Sequence, residues 1–128
     1  MPAALLSGLP STIHAVLVKS DPMEASAAAG SILLRNEHRR GPLLAAAVPV
    51  HLGLSAAWAL ALAVLLPRRS PLAEGAVAGL AIVAIDFGVF GPRFPRIKRL
   101  RPVPQIADHI AFGIIAATVL ARQERSRP

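Results

Sequence analysis

Residues Pro42–Leu66 form a run of 25 with no Asp, Glu, Lys or Arg. Coiled at 1.5 Å per residue, that run is about 37 Å long, enough to cross the roughly 30 Å hydrocarbon core of a bilayer. This segment decides the solvent. A water-soluble domain of 128 residues, 54% of them hydrophobic, would leave much of that apolar surface exposed, because small domains bury a smaller share of their surface. The apolar residues also come in long blocks parted by short charged stretches, the pattern of membrane-crossing helices.

Three further blocks follow the same logic. Leu72–Gly91 and Pro102–Ala121 are long enough to cross. Met1–Val18 is barely so, and Pro10, Ser11 and Thr12 interrupt it. Its start lacks the basic region of a cleaved signal peptide, so it is expected to stay as a helix. Asp21-Pro22-Met23-Glu24 reads as a helix start, with Asp21 as N-cap, Pro22 in the first position and Glu24 reaching back. The helix expected from it, residues 22–34, would be about 20 Å long, too short to span. The sequence therefore specifies an all-α integral membrane bundle in a single domain, 1–128. It has four transmembrane helices, at about 2–18, 42–66, 72–91 and 102–121, plus one short interfacial helix at about 22–34.

Charge sets the expected topology. The chain carries a net +7, and its cations sit at the ends of the apolar blocks. One side holds Lys19, Arg35, Arg39, Arg40, Arg93, Arg96, Lys98, Arg99 and Arg101. The other holds Arg68, Arg69, Arg122, Arg125 and Arg127. The positive-inside rule then places the loops 19–41 and 92–101 in the cytoplasm and both termini outside. A nucleic-acid module would gather its cations on one face with stacking aromatics beside them, so no nucleic-acid partner is expected. With no cysteine, disulfides and thiolate metal sites are excluded.

The second and fourth blocks share a pattern. His51-x3-Ser55-x3-Ala59 corresponds to His109-x3-Gly113-x3-Ala117 at an offset of 58. Residues four apart stack on one helix face, so each histidine heads a stripe of small residues of the kind that lets membrane helices approach closely. Gly75 and Gly79 make a similar stripe on the third block, above Asp86. The first and third blocks echo each other more loosely, His14 aligning with Asp86, which gives an expectation of two helical-hairpin repeats inserted the same way.

Counting rise per residue from the basic side puts His14, His51, Asp86 and His109 within roughly 6–14 Å of one surface, with Asp108 beside them. Ionisable residues inside membrane helices are costly and are functional candidates by default. His14, His51, Asp86, Asp108 and His109 are therefore the expected ion- or substrate-binding set. A packing role stands beside that reading, because a membrane histidine often only bonds a neighbour, and Asp86–Arg93 or Asp108–Arg101 could be simple ion pairs. The basic residues Arg93, Arg96, Lys98, Arg99 and Arg101 are read either as a topology signal or as contacts to anionic lipid headgroups. Motifs for nucleophilic catalysis, Walker loops and dinucleotide folds are absent.

His51-x3-Ser55, Gly91-Pro92-Arg93-Phe94-Pro95 and Pro104-Gln105-x2-Asp108-His109-x2-Phe112-Gly113 together resemble small four-helix bacterial inner-membrane proteins of no settled activity. The resemblance covers most of the chain after Gly41 and implies a location rather than a chemistry. The reading is thus a non-enzymatic accessory, assembly or transporter-like membrane protein with a His/Asp layer near its cytoplasmic side. The alternative is a membrane enzyme or a metal- or haem-binding protein using that layer. No cofactor is expected under the first reading. The expected partners are anionic membrane lipids and a second copy of the chain or a larger membrane complex.

Overall fold

A computed structural model of the protein describes residue 6 and residues 8–126. They are mostly helical, with no strand among them. Six helices follow in order: α1 Leu9–Leu17, α2 Glu24–Gly30, α3 Arg40–Leu65, α4 Pro71–Ile85, α5 Pro95–Lys98 and α6 Pro102–Arg125. A π-helical turn, Asp86–Phe90, extends α4. Among the described residues three helices are long and apolar enough to cross a membrane: α3, α4 with its π-turn, and α6. They cover the segments 42–66, 72–91 and 102–121.

The first segment differs from expectation. Residues 2–5 and 7 of the expected span 2–18 lie outside the described residues, and α1 itself has nine residues, about 13 Å, ending at the expected point. It stops in a Schellman turn. Lys19 adopts the left-handed φ of 52°, its N–H bonds the Val16 carbonyl, and the Ser20 N–H bonds the Ala15 carbonyl.

The helix expected over 22–34 is confined to Glu24–Gly30, and the capping box does not form. Met23 holds the N-cap position without a side-chain cap. Asp21 instead accepts the Met23 N–H at 2.9 Å and Arg40 at 2.6 Å. Those bonds hold its carboxyl below the usual range, the Met23 N–H contributing most. Glu24 faces Arg96 at 3.9 Å. Helix α2 lies along α3, where a Cβ on Gly30 would overlap the Leu43 backbone.

The other close pair is α4 with α6, antiparallel. Gly75 sits against the backbone of Gly113 and Ile114, Gly79 against His109 and Ile110, and Gly113 against Gly75 and Gly79. Of the remaining stripe residues, Ala117 and Ser55 are buried and Ala59 is half-buried. Helix α1 packs on α6 rather than on α3, so the two halves of the chain are not packed alike.

The two pairs meet at the end nearest the turn 66–70. Leu62, Ile82, Phe112 and Ala116 form the core there, with Trp58 and Leu66 against them. That turn is pinned by the Glu74 carboxylate, which accepts the N–H groups of Arg68, Arg69 and Ser70 at 2.7–2.9 Å. Arg68, at a left-handed φ of 60°, reaches Glu124 at 2.8 Å and also donates to the Ala63 carbonyl. Toward the opposite end the pairs separate.

Glycine at 79 is a requirement of contact and at 53 it is not. Gly79→Ala must push α4 from α6, and overpacking of this kind costs about 1–3 kcal/mol. Gly53 has nothing within 4 Å of an added Cβ, so Gly53→Ala should gain about 0.5–1 kcal/mol from helix propensity. Thermal unfolding in detergent, followed by circular dichroism, reads both signs.

Candidate functional site

Where the pairs separate they leave a cavity of about 400 Å³, roofed by α1, α2 and the basic loop. Small-molecule sites typically fall between roughly 300 and 1,000 Å³. Its polar wall is built by helix periodicity. Gln105, Asp108, His109 and Phe112 fall at i, i+3, i+4 and i+7 on α6. His51, Ser55 and Trp58 fall at i, i+4 and i+7 on α3. Each set therefore shares one face.

At the centre, His109 Nε2 lies 2.7 Å from Asp86 Oδ2. Side chains on a helix lean toward its N-terminus. In the antiparallel α4–α6 pair those leanings oppose each other, so Asp86 leans deeper, His109 leans outward, and they converge. The π-turn starts at Asp86, whose carbonyl accepts the Gly91 N–H at 2.9 Å, five residues on. Such turns are rare and concentrate at functional sites.

The protons of the pair follow from its partners. His109 Nδ1 stands 2.7 Å from the Gln105 carbonyl, and a carbonyl only accepts, so Nδ1 carries a hydrogen. The 2.7 Å contact at Nε2 then needs a second hydrogen, on the ring nitrogen or on the Asp86 carboxyl. Either way Asp86 and His109 together are neutral and hold a shared proton. Asp86 Oδ1 is buried with no hydrogen-bond partner among the described residues.

Asp108 does different work. Its Oδ1 accepts the Ser11 N–H at 2.8 Å. That N–H lies in the first turn of α1, where the first four amides have no partner within their own helix. Asp108 caps α1 from another helix. The ion pairs Asp86–Arg93 and Asp108–Arg101, which the packing alternative allowed, are not formed; these contacts stand in their place.

His51 lines the cavity from α3 and is exposed there. His14 does not join the others. It lines a second cavity of about 220 Å³ with Asp21, Glu24, Arg99 and Arg101. Among the described residues no three His, Asp or Glu side chains gather as a metal-holding group.

The basic loop divides its chemistry. Ile97 and Leu100 line the cavity, while Arg93 donates to the Val89 carbonyl at 2.8 Å and Arg96 turns toward Glu24. Arg35 stacks on Phe94 at 5.1 Å and bonds the Arg93 carbonyl at 2.7 Å. Lys98, Arg99 and Arg101 remain exposed.

Sequence reasoning missed the aromatic walls. Trp58, Phe87, Phe90 and Phe112 all line the cavity, and the spacings 51/55/58 and 105/108/109/112 carried that signal for two of them.

His109→Ala strips Asp86 Oδ2 of its partner and should cost about 1–3 kcal/mol, more than Ser55→Ala. In a thermal-unfolding cycle the double variant Asp86→Ala/His109→Ala should fall short of the summed single losses by about 0.5–3 kcal/mol.

No protein-family model matches this chain, and no curated protein or solved structure matches it either.

Proposed function

We propose that this chain is a non-enzymatic, multi-pass protein of the bacterial inner membrane that holds a small ligand in the cavity under its basic loop, in the manner of a small transporter or an accessory subunit. The observation that carries this reading is the neutral Asp86–His109 pair, with one carboxylate oxygen unpartnered, set in a roomy and partly apolar cavity. A pair serving packing alone would have its polar atoms satisfied and its surroundings filled.

In this reading residues 1–18 complete a fourth crossing, and the segments 19–41 and 92–101 face the cytoplasm. Two contacts support placing those segments at one end, Arg35 with Arg93 and Arg96 with Glu24. The Arg68–Glu124 pair gathers the other cationic end. The exposed Lys98, Arg99 and Arg101 suit anionic lipid headgroups. Each crossing helix buries less than a quarter of its apolar window within the chain, 17–22%, which leaves faces for lipid or for a second copy in a homodimer. The hairpin-repeat reading rests on the sequence pattern alone.

The chain has no cysteine, so Ser55→Cys introduces a single thiol on the cavity wall. A membrane-impermeant maleimide should label it in inside-out vesicles and not in right-side-out ones. Labelling from neither side would make the layer a packed core. Labelling from the outside alone would reverse the topology.

A further inference from the structure

We infer that the cavity takes a monovalent lipophilic cation, an alkyl- or aryl-substituted ammonium or phosphonium, in exchange for the proton held between Asp86 and His109. This names the ligand class for the site proposed above and rests on that proposal.

Charge carries the first step. The chain has fourteen Lys and Arg against seven Asp and Glu, yet none of the described cations lines the cavity, whereas Asp86 and Asp108 both do. A strongly basic protein has kept this cavity free of fixed positive side chains, while Arg99 and Arg101 line the smaller second cavity instead. The loop over it presents Ile97 and Leu100 inward and its guanidinium groups elsewhere.

Aromatic placement carries the second. The chain has one Trp, four Phe and no Tyr, and four of those five rings line this space. Ring faces attract cations, most strongly where water is excluded. The apolar walls would suit an organic body, and the Asp86 carboxylate, which lines the space, would balance its charge once the proton leaves. An anion would meet two carboxylates and no fixed cation.

The exchange balances. With the proton in place, the Asp86–His109 pair is neutral. A cation docked on the Asp86 carboxylate replaces the shared proton, which leaves to water. His109 stays neutral with its Nδ1 hydrogen on Gln105, and the net charge of the site is unchanged. The other titratable groups lining the cavity are Asp108 on α6 and His51 on α3. Helices α1 and α2 and the loop bring none to it.

Trp58 is the only tryptophan and lines the cavity, so its emission reports on this site alone. Full-length protein in detergent is titrated with tetraphenylphosphonium in weakly buffered solution. We expect saturable quenching, proton release on binding, and affinity that rises up to about tenfold per pH unit while the pair is protonated. Asp86→Asn should weaken binding about tenfold or more. Asp86→Glu should restore part of it, and Glu24→Gln, which removes a charge outside this cavity, should leave it unchanged. Tetraphenylborate, of the same shape and opposite charge, should not saturate. If it binds as tightly, or if phosphonium binding ignores pH and releases no proton, the cation assignment falls while the ligand cavity stands. If neither ion quenches Trp58, the cation assignment again falls, and Ser55→Cys labelling decides whether the cavity reading falls with it.

Discussion

The rest of the structure depends on the close backbone approach of α4 to α6. In lipid, helices gain little by hiding apolar side chains from one another, so association relies on close packing and on polar contacts. Gly75, Gly79 and Gly113 supply the packing by leaving no Cβ between the two backbones. The polar contact then comes from the same geometry. With the axes this close, the opposed leanings of Asp86 and His109 bring their ends together, and a longer separation would leave both in an apolar medium without a partner.

That seam also accounts for the cavity. Helix α3 is held to the α4–α6 pair by the cluster of Leu62, Ile82, Phe112 and Ala116 at one end. At the other end it is occupied with α2, through the Gly30–Leu43 contact. A helix fixed at one end and engaged elsewhere at the other cannot close on the seam. The space is bounded by side chains too large to let the helices collapse, Trp58 and Phe112 among them. Neutrality of the Asp86–His109 pair makes the wall tolerable, since a lone carboxylate at membrane depth costs several kcal/mol, about 2.5–3.5 at a helix centre.

Hydropathy made the three long helices legible, because the requirement for about 20 apolar residues is a property of the bilayer and not of the fold. Counting rise per residue also placed Asp86 and His109 at matching depth, since a regular helix converts sequence distance to height. Depth carries no azimuth, however. It could not say that His14 would line a separate cavity with Asp21 and Arg101 rather than join His109, nor that α1 would pack on α6. The end of α1 was legible: the block was expected to stop at Val18, and α1 ends at Leu17, although the left-handed conformation of Lys19 that ends it is usually left to glycine or asparagine. The π-turn at Asp86 shifts the helix register by one residue, and nothing in the composition of Asp86–Phe90 announces it. The Arg–Asp pairs that the packing alternative allowed do not form, for a general reason. Arginines at the membrane edge gain by facing water and headgroups, whereas buried carboxylates take whichever donor the packed helices have already fixed nearby.

Asp86 and Asp108 show why two similar residues deserve different weight. Both are aspartates near a helix end, both line the same cavity, and both cost the membrane the same to bury. Asp108 is repaid within the fold, because its oxygen meets an amide of α1 that no residue of α1 can satisfy. Exchanging it for a neutral acceptor would keep most of that bond. Asp86 is repaid only in part. One oxygen shares a proton with His109 and the other is buried without a donor, a state that native interiors rarely leave standing. A carboxylate that packing has not satisfied, beside a proton shared with His109, is the feature of this fold on which the proposed ligand site rests.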